Sequence, residues 1–269
     1  MIWGLVAAAA LAGLVFSHRY AWWRPAVDPK RPRILMYHMV SEHRPGAKFN
    51  KLRVRPSRFE QQIRWLQRNG WHFALMSELA RPEKLPAKTV VLTFDDGFED
   101  NYRNAHPVLK KYGARATLYL VVDRFDRDWS TAKKAHHDSG ELMHEPKLSD
   151  DQVRQMLASG CWELGGHTLT HANLARLDAA GKEAEIRGGR EQLEQRFGVP
   201  VPSFAYPFGI YDEQDVQLAE QAGFDNAVTT VEGIDDDIRK RRFELRRVKI
   251  SGKDNRLAFR LRMRSGRRS

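Results

Sequence analysis

The sequence predicts an α/β fold built around a parallel sheet or barrel, and three observations carry that expectation. Short apolar runs recur along the chain: ILMY from Ile34, FALM from Phe73, TVVLTF from Thr89, ATLYLVV from Ala116, CWEL from Cys161, VPSFAY from Val201 and AVTT from Ala227. They alternate with helix-like segments, the pattern of βα units. At 269 residues the chain is long enough for one large domain with a short extension.

The helices carry their own start and stop signals. Ser57 and Glu60 are spaced as a capping box ahead of Phe59, Ile63 and Leu66, and Asn69-Gly70 ends that run. Ser149 and Gln152 offer the same arrangement before Val153, Met156 and Leu157. A charged, exposed helix is expected over residues 181–197, stopped by Gly198 and Pro200, and another over residues 212–222 before Gly223. Residues 123–146 are polar, rich in His and Asp and without periodicity, and read as a long loop at one mouth of the fold.

The first residues, MIWGLVAAAALAGLVF, are uninterrupted by charge. Extended through Trp23 they approach the length of a membrane span, and Tyr20, Trp22 and Trp23 suit an interfacial belt. A single-pass, uncleaved anchor in a bacterial inner membrane is expected. A cleaved signal peptide and a buried helix are the alternatives. Positive charge follows this stretch, at Arg19, Arg24, Lys30, Arg31 and Arg33, which by the positive-inside rule argues for the main domain on the cytoplasmic side, with the opposite side left open. The divisions are then residues 1–23 as anchor or signal, 24–32 as a Pro-rich linker, 33–250 as the main domain and 251–269 as a basic tail.

The formal charge is +11, from 45 Lys and Arg against 34 Asp and Glu, with the excess near both ends. That favours an anionic partner such as a membrane surface. Nucleic acid is not expected, because no zinc-finger, helix-turn-helix or aromatic-plus-basic pattern accompanies the charge. The lone Cys161 excludes an intrachain disulfide framework. Nothing in the sequence specifies an oligomer.

Three motifs carry chemistry. TFDDG, residues 93–97, sits at the end of an apolar strand, where the loops of parallel α/β folds converge on one crevice. Adjacent residues leaving a strand point in different directions, so one of Asp95 and Asp96 can bind a metal while the other moves protons; a plain helix cap is the alternative. HTLTH, residues 167–171, places His167 and His171 four apart. On a helical turn that spacing puts both imidazoles on one side, and two imidazoles with a carboxylate leave coordination positions open for water and substrate. SFAYPFGIYD, residues 203–212, runs into a rigid turn whose backbone N–H groups can face the crevice while its rings wall a sugar.

In this order the three motifs resemble those of the polysaccharide deacetylases, the NodB-homology carbohydrate esterases of family 4. The resemblance covers about residues 33–250. It implies a distorted (β/α) barrel, one divalent metal (zinc first, with cobalt, nickel or iron also accepted) and hydrolysis of an N-acetyl group on a glycan. By position in the motifs, Asp95 is the general base, Asp96, His167 and His171 hold the metal, and the Phe208 N–H helps to stabilise the oxyanion. Tyr206, Pro207 and Tyr37 are expected against the substrate.

The chain departs from the family pattern twice. Ala205 stands where members commonly carry an arginine that orients the base, for which Arg246 or Arg247 can substitute. The late Leu-x-His that protonates the leaving amine is absent from ELRRVKI, residues 244–250. Members similar to the poly-N-acetylglucosamine deacetylases place their acid histidine after a tyrosine on an N-terminal strand, as in ILMYHMV here, which makes His38 the acid, with a packed strand-end histidine as the alternative. His136, His137 and His144 are fallback acids. The expected substrate is an N-acetylated envelope polysaccharide or a lipid-linked amino sugar. A deformylase or deacetylase of a small lipid-linked sugar in lipopolysaccharide synthesis, and a glycan-binding pseudoenzyme, are the other readings.

Overall fold

The computed structural model describes residues 2–128 and 140–267. After an N-terminal helix α1 (Ile2–Tyr20), the chain runs β1 (Arg33–Tyr37), α2 (Pro56–Arg68), β2 (His72–Ala74), β3 (Thr89–Asp95), α3 (His106–Tyr112), β4 (Ala116–Leu120), α4 (Asp150–Ala158), β5 (Trp162–Gly166), α5 (Ala179–Glu183), α6 (Gly189–Phe197), β6 (Ser203–Ala205), α7 (Glu213–Gln221), β7 (Asn226–Glu232), β8 (Leu245–Lys249) and α8 (Arg256–Ser265).

All the pairings between strands are parallel, and β1 pairs with both β8 and β3, closing a seven-stranded barrel of β1 and β3–β8. The distortion lies at β3. Its residues 89–91 pair with β2, whereas residues 92–95 pair with β4, so two strands share one edge in succession.

Alternation along each strand sorts the side chains. Ile34, Val91, Tyr119, Ala205, Val228 and Leu245 pack together as one cluster in the barrel interior. The opposite parity, including Leu35, Tyr37, Leu92, Phe94, Leu118 and Phe204, joins the larger core under the helices. The interior parity then continues to His38, to Asp95 and to Arg247. This sorting overturns one expectation: Tyr37 is fully buried on the helix side, donates to Gln62 Oε1 at 3.0 Å and packs on Phe59 and Phe94.

Local signals fared unevenly. Ser149 and Gln152 form the expected capping box on α4, and Asp212 caps α7. Ser57 does not cap α2, which starts one residue earlier at Pro56, where the fixed φ of proline suits the first turn. The helix expected over 181–197 is broken by a π turn at Ala184–Gly188, and it buries Lys182, Glu185, Ile186 and Leu193. The segment expected as a basic tail carries α8, whose Ala258, Phe259 and Met263 are buried, with Phe259 edge-on to Trp65 of α2.

Helix α1 forms with Ile2, Trp3, Leu5, Leu11 and Leu14 exposed. The expected spanning anchor is corrected: among the described residues no helix is long and apolar enough to cross a membrane. The uncharged stretch stops at Phe16, and at 1.5 Å per residue it reaches only about 24 Å of the roughly 30 Å hydrocarbon core.

Candidate active site

The first strand-end turn supplies both carboxylates. Asp95 is the last residue of β3, and Asp96 follows with φ 77°, in the left-handed region that Asp tolerates better than most residues. Gly97 continues at φ +78°, and a Cβ there would lie 2.4 Å from Leu120 Cδ1, so glycine is required on two counts. The reversal turns Asp96 away from the direction of Asp95, as the sequence suggested.

Asp96 Oδ1 lies 3.3 Å from His167 Nε2 and 3.3 Å from His171 Nε2. One donor atom from each of the three residues falls within 4.8 Å of the others, and all three side chains are buried. His167 Nδ1 sits 2.7 Å from the Ala205 carbonyl oxygen, which accepts from it and leaves the lone pair of Nε2 facing the cluster. Burial works against the ionised Asp96, but the His167 and His171 imidazoles beside it outweigh that and hold its carboxyl well below the usual range. Burial lowers the pKa of His171, favouring the neutral imidazole that ligates metals. Two imidazole nitrogens and an ionised oxygen make a donor set that fits a divalent metal with coordination positions to spare.

The two histidines do not share a helical turn. Residues 167–171 follow β5 as a loop in which Thr168 (φ 64°) and His171 (φ 58°) are both left-handed, and these reversals bring the rings to 4.9 Å. A β-branched residue held there costs about 1–3 kcal/mol, so the surroundings must impose it. Glu185, presented by the π turn, accepts from the Thr170 N–H at 2.9 Å and from its hydroxyl at 2.6 Å, and the Glu185 carbonyl accepts from the Leu169 N–H. Nothing in the sequence pattern marked Glu185 as a support of this loop.

Asp95 faces the barrel interior. Arg247 of β8 donates from Nη1 to Oδ1 and from Nη2 to Oδ2, both at 2.7 Å, and its Nε donates to the Thr229 carbonyl at 2.8 Å. Burial alone would raise the Asp95 pKa, and the Arg247 guanidinium more than reverses that, keeping the carboxylate ionised. Of the two arginines open from the sequence, Arg247 is the partner; Arg246 pairs with Asp235 instead. His38 Nε2 approaches Asp95 Oδ2 to 4.0 Å from a half-buried position at the end of β1.

The third motif closes the site from β6. Phe208 is left-handed at φ 60°, and its ring meets His171 edge-on at 4.5 Å. Tyr206 and Pro207 do not form an open wall: both are buried, and Tyr206 stacks on Tyr211 at 4.4 Å within the core. His144 is exposed and packs against Gly140, and His136 and His137 lie outside the described residues.

The barrel and its strand-end residues can be set beside known proteins. The family described as polysaccharide deacetylase matches residues 83–227 of this chain. Bacillus subtilis YxkH, named for the same family, is 30% identical over 215 residues, covering 78% of this chain and 68% of its own. The poly-beta-1,6-N-acetyl-D-glucosamine N-deacetylase of Staphylococcus aureus is 28% identical over 182 residues, 63% of this chain, which spans 58% of that enzyme's length. Among solved structures, a polysaccharide deacetylase from Bacillus cereus superposes with a TM-score of 0.73 at 28% identity, over 87% of this chain and 69% of that one. With the barrel, the strand-end motifs and these relatives in agreement, the chain belongs to the polysaccharide deacetylase family.

Proposed function

We propose that this protein removes N-acetyl groups from an N-acetylglucosamine polymer of the bacterial envelope, releasing acetate and free amine. The observation that carries the reading is the juxtaposition of the Asp96, His167 and His171 cluster with the Arg247-paired Asp95. The name of the S. aureus relatives supports the substrate class.

When bound by Asp96, His167 and His171, a divalent ion supplies Lewis acidity toward the acyl carbonyl and the attacking water. Asp95, kept ionised by Arg247, takes the proton of that water as it attacks the acetyl carbon. The Phe208 N–H donates to the oxyanion that develops, a preorganised contact worth about 3 kcal/mol. His38, in its protonated form, delivers a proton to the departing amine. Its 4.0 Å approach to Asp95 supports that part, since base and acid then flank one reacting centre. Arg247 and His38 supply the two parts that the motif departures left open, which weighs against a pseudoenzyme. Helix α1 holds the enzyme at the inner membrane by burying its exposed apolar side chains in lipid.

The test is release of free amine and acetate from β-1,6-linked N-acetylglucosamine oligomers by the purified chain, after chelation and reloading with zinc, cobalt, nickel or iron. Metal-dependent release of both products is expected. Activity only on N-formyl sugars would transfer the reading to a deformylase, and no turnover with any metal would end it.

A further inference from the structure

On the outer surface of the barrel, α2 and α8 enclose a groove of about 460 Å³. Arg58, Arg64 and Arg68 line it from α2, and Arg256 and Arg260 from α8. Arginines elsewhere, such as Arg103, Arg124 and Arg242, hold carboxylates. Among the described residues the contacts of these five are to neutral groups, apart from the charge of Glu60 near Arg64. Arg58 and Arg256 both donate to the neutral Gln61 Oε1, at 3.2 and 2.9 Å, and Arg260 lies over the Trp65 ring. The carboxylate one turn from Arg64, Glu60, is engaged by Lys111 and the Tyr112 hydroxyl. Five guanidinium groups gathered in a concave wall, with only Glu60 near enough to Arg64 to feel its charge, repel one another and concentrate anions.

The groove also adjoins the apolar helix. Asn255, the N-cap of α8, donates to the Tyr20 hydroxyl at 2.8 Å, and Arg264 donates to the Trp22 carbonyl at 3.1 Å. The end of α1 is therefore moored on the helix that supplies Arg256 and Arg260. Trp22 and Trp23 beside it are exposed, as are the apolar side chains back to Ile2. Guanidinium groups match phosphate oxygens with paired N–H donors, and an apolar helix moored beside them selects an anion that lies at a lipid surface.

We infer that the groove between α2 and α8 binds the phosphate headgroups of anionic phospholipids, seating the catalytic barrel flank-on against the bilayer. This rests on the reading that α1 buries its side chains in lipid. Headgroup binding then fixes which way the strand-end site faces and does not enter the chemistry.

The experiment measures partitioning of the full chain onto phosphatidylcholine vesicles with and without phosphatidylglycerol, comparing wild type with a triple Arg64→Gln, Arg68→Gln, Arg260→Gln variant. Affinity for neutral vesicles reads α1; the ratio of anionic to neutral affinity reads the groove. The triple variant should lose the anionic preference by roughly a hundredfold, at about 1 kcal/mol per arginine, with the single variants each losing about fivefold and the matching triple Lys variant retaining most of it. Thermal midpoint and oligosaccharide turnover should stay unchanged, since the three side chains are exposed and away from the site. An unchanged ratio in the triple and single variants overturns the proposal. So does full competition of anionic-vesicle binding by inorganic phosphate or a single-stranded oligonucleotide, which would identify a soluble anion or a nucleic acid as the ligand. Weak neutral binding with an arginine-dependent ratio would remove the α1 reading and leave the groove standing.

Discussion

Arg247 and Asp95 meet through two hydrogen bonds of 2.7 Å inside the barrel, from strands that do not pair with each other. The fork fixes the carboxylate plane and its ionisation together. Arg247→Met should lower kcat/KM by roughly a hundred- to a thousandfold and move the acidic limb of its pH profile upward, because burial then acts on Asp95 with only the lesser pull of His38 and His167 against it. It should also destabilise the fold by about 3–5 kcal/mol, as expected when one partner of a buried pair is removed. Arg247→Lys, keeping charge but not the fork, should fall between in both measurements.

The proposed base and ligand roles are separable by substitution although Asp95 and Asp96 are neighbours. Asp95→Asn should keep stoichiometric zinc, measured by metal analysis, and lose turnover. His167→Ala should lose both. Full activity in either variant would contradict the assignment.

The acid role of His38 is testable through the leaving group. His38→Ala should lower turnover of N-acetylated sugars by roughly a hundred- to ten-thousandfold, the usual worth of a positioned acid. Acetate esters with a good phenolate leaving group need no such proton and should be hydrolysed almost as fast as by wild type. An equal loss on both substrates would make His38 structural.

Asp100, just past the catalytic turn, has its pKa raised by burial from 3.8 to about 6, with the Val40 N–H opposing in part. The folded state therefore holds a proton that the unfolded chain releases, so this contribution to stability is present below about pH 4 and lost as the pH rises to 6. Asp100→Asn removes the dependence. In denaturant melts its stability relative to wild type should rise by at most about 3 kcal/mol between those limits and stay level above them.

Much of this arrangement was legible in the sequence. Seven apolar runs mark β1–β7, and TFDDG with HTLTH located the cluster, because chemistry at strand ends needs specific side chains next to apolar stretches. β8 was not read as a strand: three of its five residues are Arg or Lys, and only the closed barrel reveals that Arg247 faces inward to a carboxylate. The spacing of His167 and His171 predicted a helical turn, whereas left-handed backbone at Thr168 and His171 does the work, imposed by Glu185 from another element. Tyr37 and Tyr206 looked like ligand-facing aromatics because a motif states composition and not strand parity.

The seven-stranded closure, with its last strand carrying the partner of Asp95, also sets the order in which the protein matures. Asp95 and Arg247 lie 152 positions apart, and they meet only once β8 has docked on β1. Contacts of such long sequence separation form late, because most of the chain's loop entropy must be lost first. In a refolding experiment, helical signal and collapse should return well before turnover. On the proposed roles, chains released before β8 is made would have every metal ligand but a base without its arginine partner, so turnover waits on β8.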